Sequence, residues 1–247
     1  MSRTFFFSKP GKGLSAQAIS LIMFKYPTAA ILMALLIISP ALSSCSGAMQ
    51  AVRKENLNVL ILGNSVTHHP PDPAVGWQGD WGMAATAPNK DFKSIYATKL
   101  ASSGLYGHVD VKGYNIALWE NDFTYNIDAF QIEDKAYDVV ILRLGENVNI
   151  ISGYRQALIG LISRFAHTGS RVMITGLIWE NAEKELVQQN LAISQGYLFF
   201  SMDDFRSNPD NYATGQFENG AVAAHPSDAG MRRIAEMLYA ATVAPHN

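Results

Sequence analysis

Leu57-Asn58-Val59-Leu60-Ile61-Leu62, followed at once by Gly63-Asn64-Ser65-Val66-Thr67, is the stretch on which the fold turns. A short apolar run closed by glycine predicts a strand buried on both faces, with a turn just beyond it. The pattern recurs downstream. Asp138–Leu144 (DVVILRL) predicts a second strongly buried strand followed by a glycine turn, Arg171–Thr175 and Tyr197–Ser201 two more, and Val109–Tyr114 a weaker one. Between them lie amphipathic stretches. Asp91–Ser102, Tyr154–Ala166, Ala182–Ser194 and Asp228–Ala241 predict helices, and Leu158, Leu161, Ile162 and Phe165 have the spacing of one helical face. Strands alternating with helices of this length predict an α/β three-layer sandwich around a parallel sheet of about five strands. In such sheets the site lies beyond the carboxyl ends of the strands.

Composition bounds the function. The chain has 247 residues, 48% hydrophobic and 16% charged, an ordinary globular balance. Four of its 19 basic side chains (Arg3, Lys9, Lys12, Lys25) precede Cys45, where no acid occurs. The remainder carries 15 basic and 21 acidic groups, a net charge of −6. Such a surface gives no electrostatic pull on nucleic acid, which is excluded as a partner. No phosphate loop, dinucleotide fingerprint or paired-cysteine motif occurs, so no cofactor is expected.

The N-terminus predicts export. Thr28–Leu42 (TAAILMALLIISPAL) is an uncharged apolar run preceded by Lys25 and followed by small residues, the layout of a signal-peptide core. It ends in Leu42-Ser43-Ser44-Cys45, which resembles the bacterial lipobox, and Cys45 is the only cysteine. The expectation is a signal peptide over residues 1–45, with Met23 as an alternative start, and lipid on Cys45. A tether over 46–56 and one domain over 57–247 follow, held on the periplasmic side of the cell envelope by the lipid anchor. An uncleaved anchor helix is the other reading of the same run.

Three motifs stand after strands or before the closing helix. Ser65, one turn beyond the first strand, is placed to project its hydroxyl at the active edge of the sheet. Position 67 is Thr, so the motif is not the G-x-S-x-G elbow of α/β-hydrolases. Gly145-Glu146-Asn147 follows the central strand, and His225-Pro226 precedes the last helix. Alone, each also fits a turn serine, a turn asparagine or a surface histidine. Together and in this order, Gly63-Asn64-Ser65-Val66-Thr67, Gly145-x-Asn147 and His225-Pro226 resemble blocks I, III and V of the SGNH (GDSL-like) hydrolases. The resemblance spans Gly63 to Met231. It implies a flavodoxin-like fold, Ser65 as nucleophile, His225 as general base and Asn147 as an oxyanion donor.

Two departures from the family pattern are visible. Its D-x-x-H motif would put an acid at position 222, where this chain has Val222. A backbone carbonyl, Glu146 or Glu218 are the candidate replacements, and a Ser–His dyad is the default. Block II offers Asn115 at the expected place, with Glu120 where the family glycine would stand. Glu120 and Glu146 are therefore candidates for an acid or a substrate contact. Between blocks I and II, Trp77 and Trp81 are candidates for a substrate wall, or for pins that hold a long loop on the core. His68, His69 and Asp72 lack the further ligands that a metal site needs, so none is expected. The function these residues predict is a lipid-anchored serine esterase acting on O-acetyl or similar esters of a saccharide. A lipase or thioesterase on longer acyl chains is the alternative enzyme, and a non-catalytic saccharide-binding lipoprotein the alternative class.

Overall fold

The computed structural model describes residues 54–245; the expected signal peptide, Cys45 and residues 46–53 of the tether lie outside them. Five strands, β1 (Lys54–Gly63), β2 (Tyr106–Asn115), β3 (Tyr137–Arg143), β4 (Ala166–Thr175) and β5 (Leu198–Phe200), form one sheet in the order β2-β1-β3-β4-β5. Every pairing is parallel. This is the flavodoxin-like doubly wound order. The helices are α1 (Phe92–Ser102), α2 (Ala117–Asn121), α3 (Tyr154–Phe165), α4 (Ala182–Gln195), α5 (Asp203–Arg206), α6 (Gly220–Ala223) and α7 (Asp228–Val243).

The two faces of the sheet explain why the central strands show no polar alternation. Val59, Ile61, Val139, Ile141 and Met173 face α1 and α7, packing against Phe92, Tyr96, Leu100, Ile234 and Leu238. Leu60, Leu62, Val140, Leu142 and Ile174 face α3 and α4, against Leu158, Leu161, Ile162 and Leu191. Full burial of each such side chain contributes roughly 1.5–3 kcal/mol, so a polar residue on either face would forfeit that and add a desolvation penalty.

The expected elements form, with shifted ends. β1 starts at Lys54, three residues before the expected start, so the last residues assigned to the tether belong to the sheet. β2 and β4 also run longer toward their N-termini, through polar residues that hydrophobicity does not mark as strand. Helix starts follow their caps. Asp91 accepts the Ser94 N–H at 2.7 Å ahead of α1, and Ser227 Oγ accepts the Gly230 N–H at 3.2 Å ahead of α7.

Candidate active site

The turn after β1 is built on a close approach. A Cβ at Gly63 would fall 1.9 Å from Thr67 Oγ1 and 3.2 Å from the Arg143 carbonyl oxygen, so only glycine fits there. Beyond it, Asn64 organises the turn. Its carbonyl accepts the Thr67 and His68 N–H groups at 2.9 and 3.1 Å, and its Oδ1 accepts the Val66 N–H at 3.2 Å. The Ser65 N–H takes part in none of these bonds.

Ser65 Oγ lies 2.8 Å from His225 Nε2. The other ring nitrogen, Nδ1, lies 2.8 Å from the Ala221 carbonyl oxygen. A carbonyl only accepts, so Nδ1 carries the proton, and Nε2 of the neutral ring is the acceptor for the Ser65 hydroxyl. This is the tautomer that a general base needs. Burial, foremost, lowers the His225 pKa below the ordinary histidine value; His69 and Arg143 add to the shift, while the Ala221 carbonyl and Glu146 oppose it. The ring is therefore neutral at neutral pH.

Among the described residues no carboxylate touches His225, so of the candidate replacements for the missing acid the backbone carbonyl is the one present, and Glu120, Glu146 and Glu218 do not fill that place. Glu218 is exposed on the surface. Val222 is buried with Trp77, Met83, Ala84 and Ala213. Position 222 is thus an apolar packing site, and the turn of α6 offers the Ala221 carbonyl in place of an acid. The ring is packed by a residue that the sequence reading missed. Trp179 meets His225 edge-on with ring centroids 5.1 Å apart, while its Nε1–H donates to the Ala224 carbonyl at 3.2 Å. Its signal in the sequence is its place four residues beyond the end of β4, at the active edge of the sheet.

Glu120 and Glu146 are buried beneath the site and are corrected in role as well. Glu146 Oε1 accepts Arg143 Nη1–H at 2.5 Å and the Ile178 N–H at 3.1 Å. Its Oε2 accepts Asn64 Nδ2–H at 2.7 Å, which ties the nucleophile's turn to β3. Arg143 itself is fully buried. Glu120 accepts the Gly145 N–H at 2.5 Å on Oε1 and Asn147 Nδ2–H at 2.8 Å on Oε2. Its pKa is pushed up to about 7, first by burial and then by Glu146, against the hydrogen bonds from Gly145 and Asn147. Neither carboxyl lines the pocket at Ser65.

That pocket, of about 280 Å³, is lined by Ser65, His69, Met83, Asn115, Asn147 and His225 among others. Ser65 and Asn147 follow β1 and β3, the strands that flank the switch point of the sheet, and Asn115 ends β2 beside β1. Gly145, at φ +127°, takes a backbone that glycine alone adopts easily, and this sends the loop toward Asn147. Asn115 Nδ2–H donates to the His68 carbonyl at 2.8 Å, and its Oδ1 accepts the Ala117 N–H at 3.0 Å. An open groove of about 760 Å³ shares His69, Asn115 and Ala117 with the pocket and continues past Lys93, Leu118 and Phe130.

Trp77 and Trp81 do not line the pocket, so of their two readings the substrate wall is corrected and the loop pin remains. They meet edge-on at 5.6 Å, and their indole N–H groups donate to the carbonyls of His69 and Ala85. They hold the loop in a ribbon bridged at His69–Trp81 and Asp72–Trp77. The wall is formed instead by His69, Asp72, Val75 and Met83, and the Met83 N–H donates to the Ser65 carbonyl at 2.8 Å. His68 pairs with Asp80 at 2.9 Å, and among the described residues no group of three potential ligands could hold a metal ion.

No protein-family model matches the sequence, and no curated protein does. Solved structures do. A two-domain esterase active on acetylated mannans is 16% identical, with a TM-score of 0.48 over 78% of this chain. This chain spans about half of that one, 52%. A candidate GDSL-like lipase from Parabacteroides merdae is 15% identical, with a TM-score of 0.47 over 78% of this chain and 98% of its own. An acetyl xylan esterase is 14% identical, with a TM-score of 0.44 over 76% of this chain and 100% of its own. The chain's likeness to these esterases and GDSL-like lipases is one of fold, a parallel α/β sheet with helices.

Proposed function

We propose that the protein is a serine esterase that works through an acyl-enzyme on Ser65, with His225 as its base. The observation that carries this reading is the 2.8 Å contact of Ser65 Oγ with His225 Nε2, in a ring whose Nδ1 is held by a carbonyl. In the first step Ser65 Oγ bonds to the ester carbonyl carbon and its proton passes to Nε2. The carbonyl oxygen becomes an oxyanion, received by the Ser65 N–H and by Asn147 Nδ2–H. The tetrahedral adduct collapses, the alcohol leaves with the proton from Nε2, and Ser65 keeps the acyl group. Water then attacks the acyl carbon, giving its proton to Nε2, and the acid departs as Ser65 recovers its own.

The pocket favours a small acyl group, acetyl above all, because about 280 Å³ is at the small end for ligand sites. The adjoining groove has room for a saccharide as the alcohol part. Hydrolysis of nitrophenyl acetate, butyrate and octanoate tests this: turnover should fall steeply with chain length, and a maximum at octanoate would favour a lipase or thioesterase. Export and lipid on Cys45 belong to the same proposal, resting on the leader and the lone cysteine. A fatty-acid analogue should label the parent and not Cys45→Ser, and equal labelling of both would refute the anchor.

A further inference from the structure

Asn147 sits on an irregular loop, half-buried, and its side chain makes one hydrogen bond among the described residues, to Glu120. An amide on such a loop has two free torsions and no intrinsic reason to point at a reacting carbonyl. Glu120 supplies that reason. It is fully buried on α2, an expensive place for a carboxyl, yet it touches neither substrate space nor His225. Its oxygens grip the loop at both ends of Gly145-Glu146-Asn147, one on the backbone N–H and one on the side-chain amide.

We propose that Glu120 is a positioning residue for the oxyanion site: by holding the Gly145 N–H and one Asn147 amide hydrogen, it aims the second amide hydrogen at the developing oxyanion. The inference rests on the esterase reading above and adds to it a group that never meets the substrate. The remaining Nδ2 hydrogen lies in the amide plane, about 120° from the one that Glu120 holds, so fixing the first fixes the second. The same buried layer secures the nucleophile, because Asn64 is held by Glu146 as Asn147 is held by Glu120. Ser65 and its oxyanion donor thus take their relative placement from two neighbouring carboxyl groups.

The test is a double-mutant cycle on nitrophenyl acetate. Glu120→Gln keeps the shape but brings an NH2 group against one of the two donors. With the Gly145 N–H retained by the remaining oxygen, the Asn147 amide turns over and presents its own oxygen to the glutamine. The variant should lose roughly 10- to 100-fold in kcat with KM changed by less than about twofold, because only the transition state uses the donor. Asn147→Ala should lose about 100-fold, and the double variant no more than Asn147→Ala alone. Glu120→Asp, which keeps both acceptor oxygens, should recover part of the loss. Additive losses in the double variant, or parent kcat in Glu120→Gln, would overturn the inference. Should Glu120→Gln not fold, unchanged kcat in Asn147→Ala overturns it as well, and Glu120→Asp takes the place of glutamine in the cycle. Ser65→Ala separates the two levels. Turnover that does not need Ser65 removes the esterase reading itself, whereas dependence on Ser65 with additive Glu120 and Asn147 losses removes only this inference.

Discussion

The two halves of the site are held in place by opposite means. The nucleophile and oxyanion side, on the ends of β1 and β3, rests on buried ionisable groups: Arg143, Glu146 and Glu120 fix Asn64 and Asn147 from below. The base side, on α6 and the loop into α7, rests on no charge at all. His225 is held by a backbone carbonyl, an indole edge and the apolar packing around Val222. The contrast teaches that a missing acid need not mean a lost function. An acid beside a catalytic histidine selects a tautomer and stabilises the imidazolium. The Ala221 carbonyl performs the first task fully and the second only in part, since it brings a dipole and no net charge.

The largest expected effect is on the pair that joins the halves. Ser65→Ala and His225→Ala should each lower kcat by at least about 10³-fold, with the double variant little worse than either. Purified variants on nitrophenyl acetate measure this, and additive losses would mean that the two sides do not act as one unit.

Substitution beneath the charged side should act on stability. Glu146→Ala leaves Arg143 buried without its partner, a change that typically costs about 3–5 kcal/mol. On the neutral side, Val222→Asp places a carboxyl among Trp77, Met83 and Ala213, and should cost on the order of 3 kcal/mol. Denaturant unfolding reads both. A Val222→Asp variant as stable as the parent, with raised turnover, would show that the new carboxyl has taken Nδ1 from Ala221.

A smaller effect separates the halves by pH. Because burial lowers the His225 pKa, the ring stays neutral as the pH drops through the ordinary histidine value near 6.5. Loss of kcat/KM on acidification, followed in Asn147→Ala so that protonation of Glu120 no longer disturbs an oxyanion donor, should therefore have its midpoint below 6.5, and a midpoint above it would indicate a carboxylate partner of His225. The smallest effect on activity concerns the tryptophans. Trp179→Ala should lower kcat several-fold with little change in stability, since it removes one edge contact worth about 1 kcal/mol. Trp77→Ala should do the reverse, lowering stability by about 3–5 kcal/mol through loss of a buried ring.

The same division governs what the sequence could tell. The fold was legible because LNVLIL and DVVILRL carry their burial in their composition, and because each motif follows a strand end. Ser65 and His225 were legible as a pair because their order and flanking glycine and proline match a known pattern. The supports were not. Glu120 and Glu146 are recognisable as carboxyls, but only the fold shows that they face Asn147 and Asn64 rather than His225. The Ala221 carbonyl has no side chain to announce it. Trp77 and Trp179 look alike in sequence, and the loop path alone buries one and sets the other against the histidine.

The central claim is that Ser65 is the nucleophile, made reactive by His225 without an acid. A fluorophosphonate probe followed by mass measurement of the intact protein and its peptides tests it directly. One adduct on the peptide that contains Ser65, absent in Ser65→Ala and much slower to form in His225→Ala, is the predicted result. An adduct on another residue, or labelling of Ser65 at an undiminished rate in His225→Ala, would contradict it.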